Sequence, residues 1–170
     1  NRLLFLDRLS HAISRAERDG SQLAVLFADL DGFKSVNDAL GHIAGDRLLQ
    51  EMARRLAGAI RKDDTVARLG GDEFVVLIER LHAPDDACAL AGKLLDALAT
   101  PVALDGRELR VTGSIGISLY PRDGSVADQL MQRADVAMYQ AKAAGRNAWR
   151  CHVPGCADGA PPDRDRAAAA

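Results

Sequence analysis

The chain has 170 residues, 48% of them hydrophobic, which is enough for one ordinary core and too little for two comfortable domains. A net charge of -2 and an aromatic fraction of 4% exclude the basic excess and the stacking platforms by which proteins hold nucleic acid polymers or anionic membranes. Three widely placed cysteines, Cys88, Cys151 and Cys156, fit reduced thiols in a cytosol-like compartment.

No apolar run approaches the ~20 residues that span a bilayer, and no secretory signal is visible. The sequence starts at Asn1 already in a helical pattern. It reads as a cytoplasmic fragment of something longer, and the parent protein is free to be membrane-anchored.

Leu6, Leu9, Ile13 and Ala16 recur at helical spacing and predict an amphipathic helix from Leu3 to Arg18, ended by Gly20. Leu23 to Ala28 is a continuous apolar run, as expected of a strand buried on both faces. It leads into Asp29-Leu30-Asp31-Gly32, then a short helix from Phe33 to Leu40 that Gly41 breaks. Leu48, Leu49, Met52, Leu56 and Ile60 mark a longer helix over Gly45–Ile60. Thr65–Leu69 and Glu73–Glu79 predict a hairpin around Gly70-Gly71, since glycine reaches positive φ without strain.

Pro84 and Asp85 open a helix whose inward face is Ala87, Cys88, Ala91, Leu94, Leu95 and Leu98. Asp105-Gly106 signals a second hairpin turn between Val102–Leu104 and Arg107–Val111. Val111, Gly113, Ile115, Ile117 and Leu119 alternate as a strand with one buried face. Ser125 and Asp128 match a capping box for a helix running to about Ala144, and Asn147–Arg150 reads as a last edge strand. From Val153 onward Ala, Pro, Gly and Asp dominate without apolar periodicity, so residues 151–170 are expected to be a disordered tail or linker behind a domain spanning residues 1–150. Helices interleave with strands around a central hairpin. That order favours an α/β (α+β) domain, a mixed sheet flanked by helices, over a doubly wound parallel fold.

Chemistry concentrates at a few places. Asp72 and Glu73 stand where a buried strand begins, and carboxylates there cost free energy unless a cation compensates. Taken alone, an acidic solvated turn is the commoner outcome for such a motif. Asp29 and Asp31 end the first strand, and adjacent central strands would bring all these acids together. Magnesium is usually held by one or two carboxylates with carbonyls, water and phosphate oxygens, and two such ions support in-line displacement at phosphorus. An EF-hand reading fails, because Phe33 and Leu40 stand where oxygen ligands are needed.

Lys142 and Arg146 lie four apart near the last helix's end, where basic residues support a helix C-terminus but could also grip a triphosphate, with Lys34 joining them. No Walker-type loop is present. Asn37 and Asp46 flank Gly41–Gly45; Asp46 suits an N-cap, or the pair could read guanine, whose N1–H and amine donate to a carboxylate. Arg61-Lys62-Asp63-Asp64 reads in isolation as a solvated charge run. Cys151, His152 and Cys156 are too few for a convincing zinc site.

Together, FADLDGFKSVND, GHIAGDRLL, RLGGDEF, SIGIS and ADVAMYQAKAAGRN, in that order and spacing, closely resemble the GGDEF family, the diguanylate cyclases of bacterial second-messenger signalling. The resemblance covers nearly all of residues 1–150. It implies a largely antiparallel five-stranded sheet like the palm of nucleotidyl cyclases and polymerases. It also implies a nucleotidyltransferase that condenses two GTP into cyclic di-GMP across a two-fold homodimer, with Mg2+ (or Mn2+) as cofactor. By position, Asp29, Asp72 and the Leu30 carbonyl would hold metal, and Glu73 would support the metal or the attacking hydroxyl. Asn37 and Asp46 would read guanine. Lys142 and Arg146 would hold the β- and γ-phosphates, helped by Lys34 and the Gly32-Phe33 backbone, with Gly70 and Gly71 leaving room for nucleotide. Arg61 and Asp64 match an RxxD site at which the product inhibits. An attached sensor or regulatory domain is a further implied partner; a nucleic acid polymer is not. Two other readings compete: a catalytically silent domain that binds GTP or cyclic di-GMP, and another palm-type enzyme acting on ATP or a template. The intact GGDEF turn weighs against the first, and weak basicity with Asp46 against the second.

Overall fold

The computed structural model describes residues 1–104 and 106–152. Twelve elements follow one another: α1 (Arg2–Asp19), β1 (Gln22–Asp31), α2 (Phe33–Leu40), α3 (His42–Ala59), β2 (Thr65–Gly70), β3 (Glu73–Leu81), α4 (Pro84–Ala99), β4 (Val102–Leu104), β5 (Arg107–Leu109), β6 (Thr112–Tyr120), α5 (Ala127–Ala143) and β7 (Ala148–Cys151). Five strands form one sheet in the order β2-β3-β1-β6-β7, while β4 and β5 make a separate ribbon. All pairings in the sheet are antiparallel except β6 with β7. The sheet is therefore mixed and largely antiparallel, as expected.

Strand parity divides the core. Ala24, Leu26, Ala28 and Leu30 of β1 pack with α3 and α4, whereas Leu23, Val25 and Phe27 pack with α1 and α5. Side chains alternate along a strand, so Asp29 and Asp31 inherit the α1/α5 face and Leu30 the other. Glu73, two residues before Val75 on β3, shares the Asp29 face. This parity decides which helix meets the acids.

β1 itself ends at Asp31, with Asp29 and Asp31 closing the strand as expected. Several local expectations need correction. β6 is buried on both faces, not one. Its second face carries Ser114, Gly116 and Ser118, small enough for α5 to lie almost against the backbone: a Cβ on Gly116 would come 1.9 Å from the Ala134 carbonyl oxygen and 2.1 Å from the Met138 nitrogen. Sequence alternation of large and small residues signalled one face only because the other is filled by a neighbouring helix.

α3 begins at His42 rather than Gly45, so Asp46 lies inside the helix and is not its N-cap. Gly41, at φ 83°, both closes α2 and opens α3. The Ser125/Asp128 capping box does not form. α5 starts at Ala127, which puts Asp128 one position too early to reach back, and Val126 offers no capping oxygen. The preceding turn is tied down instead by Asp123, whose Oδ2 accepts from the Leu119 N–H at 2.7 Å and whose carboxylate pairs with Arg122. The second hairpin closes β4 on β5, and its Asp105 lies outside the described residues. So do the expected tail beyond His152 and Cys156.

Candidate active site at the sheet's open end

The β2–β3 hairpin turns through Gly71 at φ 51°, a left-handed conformation that glycine adopts freely. Gly70 pairs with Glu73, and the register slips at Leu69. The Arg68 Nε–H donates to the Gly71 carbonyl at 2.8 Å, and the Leu30 N–H donates to the Asp72 carbonyl at 3.3 Å. The turn is thus docked on the end of β1. No atom lies within 4 Å of where a Cβ would stand on Gly70 or Gly71, so the space above them is open.

In the register, Asp29 sits directly between Glu73 on β3 and Ser114 on β6. It is 8% exposed. The Lys142 ammonium, brought over by α5, meets its Oδ1 at 2.8 Å. Burial pushes the Asp29 carboxyl above the usual carboxylate range, the Lys142 hydrogen bond pulls it back, and the Asp72 charge pushes it up again. Glu73 is also held high, first by burial and then by the charges of Asp29, Asp135 and Asp72. Three acids crowd one sheet end around one lysine.

Asp31 adds its charge to that crowding but is itself held by hydrogen-bond donors. Its carboxylate accepts from Thr112 Oγ1 at 2.7 Å, Ser114 Oγ at 2.8 Å and the Asn147 N–H at 3.1 Å. It ties β1 to β6 and to the segment after α5. Arg146 lies in that segment, exposed, beyond the end of α5 and at φ 65°, so it does not stand one helical turn above Lys142. Its own N–H donates to the Ala141 carbonyl at 3.1 Å, and the Asp31–Asn147 bond holds the next residue.

On the other side, Gly32 at φ 74° turns the chain from β1 into α2, leaving Phe33 buried and Lys34 exposed. Asn37 in α2 faces α3, and its Oδ1 is buried without a hydrogen-bond partner. A Cβ at Gly45 would lie 1.9 Å from that oxygen, so the glycine inside α3 is what admits the amide. Asp46 follows it, exposed. An unsatisfied buried amide oxygen costs about 1–3 kcal/mol, which a donor brought to it would recover.

Among the described residues no group of three His, Cys, Asp or Glu side chains is arranged to hold a metal ion alone. The donor chemistry still suits magnesium, which takes few protein carboxylates and completes its shell with carbonyl, water and phosphate oxygens. Lys142 on Asp29 supplies the positive charge there. Among the described residues no helix is long and apolar enough to cross a membrane.

The RxxD pair lies away from these acids, after α3. The Arg61 N–H donates to Asp64 Oδ2 and the Asp64 N–H to the Arg61 carbonyl, both at 3.1 Å. Two adjoining concavities, of about 180 and 480 Å3, share Arg61, Asp64 and Arg80 in their walls.

Sequence reading overlooked Asp31 as a tether, Gly45 as the cradle of Asn37, and Asp135 as an acid near Glu73. A glycine inside a helical pattern was the available signal for Gly45; the partners of Asp31 come from distant segments. Asp135 is visible only once α5 is packed on the sheet.

The family model described as "Diguanylate cyclase, GGDEF domain" matches residues 1–148. The bifunctional diguanylate cyclase/cyclic di-GMP phosphodiesterase MucR of Pseudomonas aeruginosa is 54% identical over 149 residues, 88% of this chain and 22% of MucR. The crystal structure of the GGDEF domain of YfiN or TpbB from P. aeruginosa superposes with a TM-score of 0.88 at 43% identity, covering 91% of this chain and 97% of that one. The GGDEF domain of DgcB from Caulobacter crescentus, solved in complex with c-di-GMP, gives a TM-score of 0.83 at 26% identity, covering 89% and 90%. The chain spans about a fifth of MucR and 35% of the diguanylate cyclase TpbB. The match over residues 1–148, the sheet order and the GGDEF turn docked on β1 place this chain in the GGDEF diguanylate cyclase family.

Proposed function

We propose that this domain condenses two molecules of GTP into cyclic di-GMP, releasing two pyrophosphates, where two copies face each other across a two-fold axis. The observation that carries the reading is the convergence of Asp29, Asp72 and Glu73 at one sheet end, with Lys142 on Asp29 and the unsatisfied Asn37 oxygen nearby. Each ribose 3′-oxygen forms a bond to the α-phosphorus of the other GTP, its proton is lost, and the bond from that phosphorus to the β-phosphate oxygen breaks. Phosphoryl transfer needs mainly positioning and charge neutralisation, and this set supplies both.

Asp29, Asp72 and the Leu30 carbonyl would hold Mg2+ or Mn2+, which when bound offsets the charge that builds on the phosphate oxygens. Glu73 supports the metal site or the attacking hydroxyl. Asn37 and Asp46 bind the guanine edge. Lys142, Arg146 and Lys34 hold the terminal phosphates, with the Gly32-Phe33 backbone at the start of α2, and Gly70 and Gly71 let nucleotide lie close. Arg61 and Asp64 bind the product and restrain the enzyme. The greater length of the relatives suits an attached regulatory domain.

Incubation with GTP and magnesium over a range of protein concentrations tests this. Cyclic di-GMP should appear with a rate rising more steeply than linearly, because two copies share the site, and Asp72→Ala or Glu73→Ala should abolish it. Tight GTP binding with no product at any concentration would instead make the domain a silent binding module. Comparable turnover of ATP would overturn the guanine assignment.

A further inference from the structure

We infer that Arg80, displaced from β3 by a bulge, is a ligand-contacting residue of the concavity that holds Arg61 and Asp64, and donates to the phosphate or guanine acceptors of cyclic di-GMP there. This rests on the reading of Arg61 and Asp64 as the product site.

The register places Ala24 opposite Ile78 and Gln22 opposite Leu81, so β3 spends three residue steps where β1 spends two. The extra residue falls at Glu79-Arg80, and Arg80 adopts φ 53°. Long side chains seldom take the left-handed region, and they hold it where the surroundings impose it. Bulges re-aim side chains, and this one separates two neighbours. Glu79 pairs with Arg15 of α1 at 2.6 Å. Arg80 lines both concavities, along with Arg61 and Asp64.

Most carboxylates of this region are engaged by groups other than the Arg61 and Arg80 guanidiniums. Asp64 accepts from the Arg61 backbone, and Asp86 accepts from the backbone N–H groups of His82 and Ala83. Glu79 holds Arg15. Asp19 feels the charge of Arg80 but is engaged by the Ser21 N–H and hydroxyl. Arg61 and Arg80 face a common space, with Lys93 in the smaller concavity and the Asp63 carboxylate at the wall of the larger. The larger concavity falls within the roughly 300–1,000 Å3 typical of ligand sites. A guanidinium fork matches paired acceptors, whether phosphate oxygens or guanine O6 and N7, and a cyclic dinucleotide with two phosphates presents both.

The test is calorimetric titration of cyclic di-GMP into the purified chain, its Arg61→Ala variant, and two variants at position 80. Arg80→Gly accepts φ 53° without strain, and Arg80→Asn tolerates it, so both keep the bulge while removing the cation. Affinity should fall about tenfold or more in both, while the initial rate of GTP turnover stays at the parent's value. Parental affinity in both Arg80 variants, with loss in Arg61→Ala, would overturn the role of Arg80 and leave the product site standing. Parental affinity in Arg61→Ala as well would remove the product site itself, and Arg80 with it.

Discussion

Gly116→Ala is the sharpest probe of how this site is built. The added methyl would lie 1.9 Å from the Ala134 oxygen and 2.1 Å from the Met138 nitrogen, with the Ala137 carbonyl carbon at 2.8 Å. All three are backbone atoms of α5, so no side chain can swing aside. Relief to ordinary contact requires α5 to move off β6 by more than about 1 Å, and interiors packed to crystal density resist such shifts. Overpacking costs typically about 1–3 kcal/mol, and the backbone obstruction puts this case at the upper end. For a domain of this size that corresponds to a fall in Tm of roughly 6–12 °C. The same shift carries Lys142 away from Asp29, now 2.8 Å apart, so turnover should fall although residue 116 touches no acid of the site. Gly113→Ala is the control: its Cβ would meet the movable Leu98 Cδ1 at 2.6 Å and the Asp29 carbonyl oxygen at an ordinary 3.5 Å, and it should cost clearly less. Thermal denaturation with turnover measured on each variant decides. A Gly116→Ala protein that melts with the parent and keeps its rate would refute the argument that α5 is held at this distance by the absence of a side chain.

Three further outcomes are expected. Asp31→Ala strands the fully buried Ser114 hydroxyl and the Asn147 N–H; chemical denaturation should show a loss of about 2–4 kcal/mol, and Asp31→Asn should recover part of it. Gly45→Ala drives its methyl into Asn37 Oδ1, the end of a side chain that can turn away; GTP affinity should drop severalfold by calorimetry while Tm moves little. Arg55 donates to the carbonyls of Ala97, Thr100 and Pro101 and is braced by Glu51. The Arg54 and Arg55 hydrogen bonds lower the Glu51 carboxyl from 4.5 to about 2. A depressed folded value means stability that is present above the unfolded value and lost as pH falls, so the pH-stability curve of the parent should drop between about 4.5 and 2, and that of Glu51→Gln should drop less.

The elements that position the site were legible where a single local signal governs them. β1 is a continuous apolar run, α4 opens with Pro84, and Gly20 ends α1 at φ 68°. The motif acids were legible as chemistry only in company: alone Asp72 and Glu73 read as a solvated turn, and Asp29, Asn37, Asp46, Lys142 and Arg146, in order and spacing, change the reading. What the sequence hid depends on packing between distant segments. Nothing local distinguishes Asp29 from Asp31, two residues apart on the same face; their division into a crowded acid and a hydrogen-bonded tether appears only when α5 brings Lys142 to one, and Thr112, Ser114 and Asn147 converge on the other. The start of α3 was misplaced for the same reason. Gly45 looked like a boundary, yet it is an interior residue kept small by Asn37 across the helix pair. The bulge at Arg80 is equally hidden: two charged residues, Glu79 and Arg80, after the apolar run Val75–Ile78 read as the end of a strand, yet β3 continues to Leu81.

The electrostatics of the acid cluster lead to a test of whether stability has been given up for function. Asp29 is buried beside Asp72 and Glu73, and its one strong compensation is Lys142. The two members of that pair are not equivalent. Replacing Lys142 with Met leaves a buried carboxylate among acids, the expensive way to break an ion pair. Replacing Asp29 with Asn removes a charge that Asp31, Asp72 and Glu73 repel, and it leaves Lys142, the less buried partner, able to reach solvent or Glu73. Without metal or nucleotide, Lys142→Met should therefore lower Tm by several degrees, whereas Asp29→Asn should match or exceed the parent. In the double variant the cost of losing Lys142 should largely vanish, because the stranded charge is gone. Both single variants should fail to make product. A marked fall in Tm for Asp29→Asn would mean that the carboxylate is a net structural asset, and that its burial among acids needs no functional explanation. The opposite result would show the cluster to be a place where local consistency yields to chemistry, with the lysine holding the acid until a stronger cation and a phosphate divide the pair between them.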